Sequence, residues 1–264
     1  IWVVTMSTKT KEDEAYVEAM AKEHADDKPT ETPASQVQPE VPVVDESVKL
    51  KGEQSAYWAV PEQSSNNKIK ASIVVIHEWW GLNDQIKSVT RQLAGQGYAA
   101  LAVNLYGCDA VSSPHEAMKI MDEALEHKEK LVENLKDAVA FLNEKNAETK
   151  LGVIGWCFGG AWALQTSLVE PMDATVIYYG HLHYNLEKLK TLKGPVLGIF
   201  GEKDNGIPVE QVKKFEAALK EVGHPHEFHI YPDADHAFAN PSGTMYNEAA
   251  AKDAWEKTLL FFRN

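Results

Sequence analysis

The chain has 264 residues, 44% of them hydrophobic and 25% charged, a composition typical of a soluble globular protein with one large core. Its formal net charge of −13 repels phosphate backbones and anionic lipids, so neither nucleic acid nor a membrane is an expected partner. The apolar first four residues are shorter than a signal-peptide core, and no later run approaches the roughly 20 residues needed to span a bilayer.

The first 45 residues differ in composition from the rest of the chain. Residues 7–27 are rich in charge and carry Tyr16, Met20 and His24 at four-residue spacing, which predicts a short helix. Four prolines within residues 28–44 then predict an extended arm. Because these segments have too few apolar residues to offset the entropy of ordering, we expect a partly ordered leader on the domain surface, with no catalytic role.

A single domain is predicted from residue 46 to residue 264. It opens with an antiparallel edge hairpin, 47–51 with 56–60, and a polar turn at 63–67. Short apolar runs then alternate with segments of helical periodicity, which is the pattern of a mostly parallel sheet flanked by helices. The predicted buried strands are 72–77, 98–103, 151–155, 174–179 and 196–200, and a further strand is predicted at 227–231. The predicted helices are 84–96, 114–143, 158–168 and 208–222.

The segment Gly155-Trp156-Cys157-Phe158-Gly159 lies where a predicted strand meets a predicted helix. Glycines flanking a cysteine there have the form of a nucleophile elbow, in which a sharp turn exposes the nucleophile above the sheet. The helix N-terminus favours a thiolate at Cys157, and the Phe158 amide can stabilise an oxyanion. Taken alone, the segment is equally consistent with a buried structural cysteine.

The other members of a catalytic triad follow in the order acid, then histidine. Asp204 comes after the predicted strand 196–200, and His236 comes after 227–231. We therefore predict Cys157 as nucleophile, His236 as base and Asp204 as the acid that orients it. The alternatives for the acid are Glu202, Asp233 and Asp235.

Together these segments resemble the dienelactone hydrolase (carboxymethylenebutenolidase) family over most of residues 70–263. The matching segments are 77–82 (His-Glu-Trp-Trp-Gly-Leu), 96–100, 104–106, 155–160, 178–180, 201–208 and 236–238 (His-Ala-Phe). The resemblance implies an α/β-hydrolase fold that cleaves carboxylic esters or lactones without a metal or a cofactor. It also implies that Glu78 lies beside the thiol, and that the Trp79 and Phe158 amides form the oxyanion hole.

The role of Glu78 depends on its surroundings. Because a solvated carboxyl has a pKa about 4 units below that of a thiol, Glu78 could accept the thiol proton only if burial raised its pKa. We therefore expect His236 to be the essential base and Glu78 to tune the thiol.

Two positions depart from the family pattern. Where type members carry two arginines that bind a substrate carboxylate, this sequence has Cys108 and Asn240. The loss of both cations disfavours an anionic lactone, and the negative net charge disfavours it further. We expect a neutral ester or lactone with a short-to-medium acyl group. The residues expected to line its pocket are Trp79, Trp80, Tyr106, Trp156 and Phe238.

Other functions remain open from the sequence: a true dienelactone hydrolase, an amidotransferase-like thiol enzyme, or a non-catalytic binding protein on the same fold. His181 and His183 follow a strand end near the expected site and are candidates for substrate contact. No metal is expected, because three other histidines that lie close together in the sequence lack a fourth ligand at suitable spacing. These histidines are His224, His226 and His229.

The cysteines, Cys108 and Cys157, are too few for a disulfide framework and are expected to be reduced, which favours the cytoplasm over the periplasm. The expected partner is a small-molecule ester or lactone, bound by a monomer or a homodimer.

Overall fold

The computed structural model describes residues 8–62, 68–182 and 184–264. Within them, eight strands form one sheet in the order β1-β2-β4-β3-β5-β6-β7-β8. The first two pairings, β1 with β2 and β2 with β4, are antiparallel, and the remaining five are parallel. The strands are β1 (Val43–Lys49), β2 (Ser55–Pro61), β3 (Ser72–Ile76), β4 (Ala99–Val103), β5 (Leu151–Trp156), β6 (Ala174–Tyr178), β7 (Val196–Gly201) and β8 (His226–Tyr231). The predicted mostly parallel sheet is confirmed.

The central strands hold the core. Every residue of β3, β4, β5 and β7 is buried, as expected for parallel strands covered by helices on both faces. In the sheet register Ile76 lies beside both Val103 and Gly155, so β3, β4 and β5 end at the same edge. The loop after β3 therefore lies next to the turn after β5.

The helices flank this sheet, and most coincide with predicted ones. They are α1 (Lys11–Glu23), α2 (Asp84–Gly95), α3 (Pro114–Leu125), α4 (Lys128–Lys145), α5 (Phe158–Val169), α6 (Leu186–Leu189), α7 (Val209–Glu221) and α8 (Glu248–Arg263), with a 3-10 turn at Pro33–Gln36. Neither α6 nor α8 is predicted from the sequence. None of the helices in the described ranges has the length and apolar character required to cross a membrane.

The prediction of a single helix over 114–143 is wrong, because the helix is interrupted between α3 and α4. Thr8 occupies the break: its amide donates to the Glu126 carbonyl at 2.9 Å, and its Oγ1 accepts from the Lys128 amide at 3.0 Å. The N-terminal segment thus provides partners for backbone groups that a continuous helix would pair internally.

The N-terminal region is more ordered than predicted. The edge hairpin is confirmed, but β1 begins at Val43, so strand pairing starts before residue 46. The helix lies on the domain, as expected of the leader, but it is packed more closely than expected, because Tyr16, Val17 and Met20 are buried in the core and Met20 is fully so. These side chains form one face of α1, and that face packs on the domain. The predicted turn at 63–67 lies outside the described residues.

Candidate active site

Cys157 occupies a sharp turn between β5 and α5, with a backbone φ of +53°. The flanking glycines are required by sterics: a Cβ at Gly155 would lie 2.0 Å from the Gly159 carbonyl oxygen, and one at Gly159 would lie 2.2 Å from that of Ile76. No side chain fits at such distances, so the turn has the geometry predicted for a nucleophile elbow.

The structure brings His236 and Asp204 together beside this turn. His236 Nδ1 lies 2.7 Å from Asp204 Oδ2, and Asp204 Oδ1 accepts from the Ile207 amide at 2.7 Å. Both side chains are fully buried. Pairing of Nδ1 with the carboxylate leaves Nε2 of His236 to face the thiol.

The alternative acids have other surroundings. Asp233 forms an ion pair with Lys203 at 2.7 Å, Asp235 accepts from the His236 amide at 2.8 Å, and Glu202 is exposed. Asp204 is therefore the carboxylate placed to orient the imidazole.

The Cys157 thiol and the His236 imidazole favour each other's charged form. Burial raises the pKa of Cys157, but His236 and His24 overcome it and lower that pKa to about 6. For His236, burial lowers the pKa, but the Asp204 carboxylate and the Cys157 thiolate outweigh burial and raise that pKa well above 6.5. The arrangement can hold a thiolate–imidazolium pair at neutral pH, which is the reactive form of a cysteine nucleophile.

Glu78 lies in the loop after β3 and is buried beside the thiol. Asn240 Nδ2 donates to its Oε2, and the Tyr179 hydroxyl lies 3.4 Å from its Oε1. Burial and the Cys157 thiolate raise the pKa of Glu78 to about 8. Asn240, which the sequence marks only as a missing arginine, is thus a direct partner of Glu78, a contact across 162 residues with no local sequence signal.

The backbone amides of Trp79 and Phe158 flank the turn. Across the described ranges, neither amide donates a hydrogen bond to a protein acceptor. Amides without a protein acceptor can stabilise an oxyanion, and the oxyanion hole expected from these two residues stays a prediction.

The predicted pocket residues separate into two groups. Trp79 and Trp80 are fully buried, Tyr106 packs on Phe158 at 5.1 Å between ring centroids, and Phe238 packs on Tyr179 at 5.6 Å. Trp156 instead lines a cavity of about 550 Å³ between the proline-rich arm, α2 and α8. Its predicted place in the catalytic pocket stays a prediction.

Residues of α1 and of its C-terminal cap lie against the thiol, a position that is not predicted from the sequence. Met20 Sδ lies 3.6 Å from Cys157 Sγ. The His24 ring is buried and stacks on Trp79 with 4.6 Å between centroids. The spacing of Tyr16, Met20 and His24 is visible in the sequence, but the surface that receives this face is not. α1 therefore covers the thiol.

The donor atoms of His24, Cys157 and His236 lie within 4.8 Å of one another, and no other trio of potential metal-binding side chains in the described ranges is this compact. The histidines considered from the sequence have other contacts. His224 bonds the Gly194 carbonyl, His226 the His224 carbonyl and His229 the Glu227 carboxylate. His181 packs on Tyr16 at 5.0 Å, and His183 lies outside the described residues.

Comparison with known proteins identifies the family. The dienelactone hydrolase family model matches residues 55–264. A Saccharolobus solfataricus protein named "Putative carboxymethylenebutenolidase" is 33% identical over 251 residues, covering 79% of this chain and 93% of that protein. A protein of the same name from Methylorubrum extorquens is 32% identical over 223 residues, covering 79% and 76%.

Solved structures agree with this result. The crystal structure described as a "Putative Dienelactone Hydrolase" from Klebsiella pneumoniae matches with a TM-score of 0.74 and 26% identity, covering 84% of this chain and 98% of that one. The predicted α/β-hydrolase fold is confirmed, and the chain belongs to the dienelactone hydrolase family.

Proposed function

We propose that this protein hydrolyses carboxylic esters or lactones through Cys157, His236 and Asp204. The observation that carries the proposal is that Asp204 pairs with His236, while the donor atoms of His236 and of Cys157, a cysteine on a strained turn, lie within 4.8 Å of each other. The 2.7 Å contact between Asp204 and His236 fixes the imidazole so that Nε2 faces the sulfur. This is the relation of acid, base and nucleophile that acyl transfer requires.

Turnover has two halves. The Cys157 thiolate attacks the carbonyl carbon, and the amides of Trp79 and Phe158 stabilise the oxyanion. The protonated His236 then gives its Nε2 proton to the departing alkoxide as the carbon–oxygen bond breaks, which leaves a thioester. Water attacks the thioester, His236 takes its proton, and the carbon–sulfur bond breaks to release the acid and the thiolate.

The substrate class that fits this site is a neutral ester. The chain has two arginines, and both have partners elsewhere: Arg91 donates to the Tyr57 hydroxyl at 2.8 Å, and Arg263 to Gln96 at 3.2 Å. Cys108 is exposed, and Asn240 is engaged with Glu78. A substrate carboxylate therefore lacks the bidentate cations that bind such groups well.

The test is the rate of p-nitrophenyl ester hydrolysis over a series of acyl chain lengths. Cys157→Ala should abolish turnover on every ester while the protein stays folded, because the acyl acceptor is lost. Cys108→Ala is the matched control, since it removes the chain's other cysteine, and it should keep the wild-type rate. Equal activity in Cys157→Ala and wild type would refute the triad.

A dienelactone assayed in parallel tests the substrate class. We expect neutral short-to-medium esters to be cleaved faster than the anionic lactone. Faster lactone turnover would show that other groups replace the arginines. If no substrate were turned over and an active-site thiol reagent failed to label Cys157, a binding role on the same fold would be favoured.

A further inference from the structure

A second histidine–carboxylate pair faces the Cys157 thiol. His24 directly follows α1, and its Nδ1 lies 3.1 Å from Asp27 Oδ2. Both side chains are only 1% exposed, so this pair is as well shielded from water as the pair of His236 and Asp204. His24 and Asp27 lie outside residues 55–264, where the family model matches, so family membership assigns them no role.

The position of His24 is fixed from several sides. Its ring stacks on Trp79 and meets the His236 ring edge-on, with 5.2 Å between centroids. Asp27 Oδ1 accepts from the amide of Thr244 at 2.9 Å and from its hydroxyl at 3.0 Å. Because Thr244 lies in the loop that also carries His236, this contact fixes the two histidines relative to each other.

His24 Nε2 makes no hydrogen bond to the described residues, and the donor atoms of His24, Cys157 and His236 lie within 4.8 Å of one another. A buried ring nitrogen without a partner costs free energy, and the sulfur within 4.8 Å is the group that can receive its hydrogen. The C-terminal end of α1 adds a partial negative charge at His24, which favours its cation.

We propose that His24 is a second catalytic histidine, which donates its Nε2–H to the Cys157 sulfur and stabilises the thiolate while His236 transfers protons. The role rests on the proposed function. When the thioester is hydrolysed, the carbon–sulfur bond breaks and its electron pair returns to sulfur. The His24 N–H is placed to stabilise that developing charge, and it gives up no proton in the step.

Other titratable groups also face this cluster. Those near the thiol, besides His24, are Tyr16, Glu78, Tyr106, Tyr179 and His236. His24 itself is faced by Asp27 and by Glu23. Burial lowers the pKa of His24, but Asp27 and the Cys157 thiolate outweigh it and raise that pKa above 6.5. A charged His24 is therefore compatible with its surroundings.

The test is a titration of the Cys157 thiolate by its ultraviolet absorbance, with the Cys157→Ala protein as the blank. His24→Gln keeps a hydrogen-bond donor but removes the positive charge, so the midpoint should rise by about one pH unit or more. Asp27→Asn should also raise the midpoint, because loss of the Asp27 charge makes the cationic form of His24 less favourable. His115→Gln, at an exposed histidine on α3, is the matched control and should leave the midpoint unchanged.

Circular dichroism establishes whether each variant is folded. If His24→Gln does not fold, the titration of Asp27→Asn tests the proposal. The proposal would be overturned if the thiolate midpoint stayed the same or fell in the folded variants. A fall is the result expected if the substitution only admitted water to the thiol. This titration needs no substrate. If Cys157→Ala abolishes turnover but His24→Gln changes neither midpoint nor kcat, the proposed function stands and this inference fails. If Cys157→Ala keeps full turnover, the proposed function itself fails, whatever the titration gives.

Discussion

The Glu78 carboxyl group is buried beside a thiolate, and both conditions raise its pKa, to about 8. A carboxyl group in the unfolded chain has a pKa near 4.5. Between these values the folded protein holds a proton that the unfolded chain has released. The folded state therefore loses stability relative to the unfolded state as pH rises through this window. The location of Glu78 thus has a cost for stability above pH 4.5.

Replacing Glu78 with glutamine should remove this pH dependence. As the pH rises from roughly 5 to 8, we expect the free energy of unfolding of Glu78→Gln, measured in urea, to increase relative to that of wild type. The increase should be at most about 5 kcal/mol. Glu18→Gln, at an exposed carboxyl on α1, is the control and should follow the wild-type curve. Parallel curves for wild type and Glu78→Gln would show that Glu78 titrates alike in both states.

At the scale of elements, α1 is the part of the fold that closes the site. Cys157 and His236 are completely inaccessible to solvent, and Met20 contacts the sulfur directly. Charged contacts at the helix start, such as Asp13 with Lys128, hold α1 to α4. We therefore expect a substrate to reach the sulfur only after the buried face of α1 moves away, a lid motion of the kind that is common in enzyme turnover.

Shortening Met20 should make this opening easier. A buried methionine replaced by alanine costs about 2–5 kcal/mol, and here the loss falls on the closed state. We expect Met20→Ala to raise the rate of Cys157 alkylation by iodoacetamide at least about tenfold, since about 1.4 kcal/mol corresponds to a factor of ten. Glu18→Ala, on the exposed side of α1, should leave the rate unchanged.

Cys108 provides an internal reference for this measurement, because it is a free, exposed thiol in the same chain. Peptide mass spectrometry gives both alkylation rates in one sample. If the ratio of the Cys157 rate to the Cys108 rate were the same in Met20→Ala and wild type, α1 would not control access to the thiol.

The sheet and the elbow were predictable because their signals are local. Strands buried on both faces appear in the sequence as continuous apolar runs, and β3, β4, β5 and β7 are buried throughout. The glycines around Cys157 are also a local signal, since both their absent side chains would collide with backbone. The order of acid and histidine after successive strands then located Asp204 and His236.

The features that escaped prediction depend on contacts between distant residues. Thr8 hydrogen-bonds to the backbone at the break between α3 and α4, 120 positions from Lys128, and the Met20–Cys157 contact joins residues 137 positions apart. A helical spacing shows that a face exists but does not show what that face covers. The same limit applies to Asn240, whose partner Glu78 lies in a different loop.

At the scale of the whole molecule, the net charge of −13 bears on substrate selection. The site adds the Asp204 carboxylate, and both arginines of the chain are held elsewhere. A negatively charged ester therefore approaches a negative protein and finds no guanidinium to bind it. We expect both effects to lower its kcat/KM relative to that of a neutral ester of the same size, the first by slowing encounter and the second by weakening binding.

Salt separates these two effects. The Debye length falls from about 30 Å at 0.01 M to about 10 Å at 0.1 M, so salt weakens repulsion during approach but replaces no missing contact in the site. For two p-nitrophenyl esters that differ by one terminal carboxylate, we expect the neutral ester to have the higher kcat/KM at both salt concentrations. The gap should narrow with salt without closing, while the neutral ester's kcat/KM stays constant. If the anionic ester were preferred, or if the preference for the neutral ester disappeared at high salt, the site would not discriminate against a carboxylate.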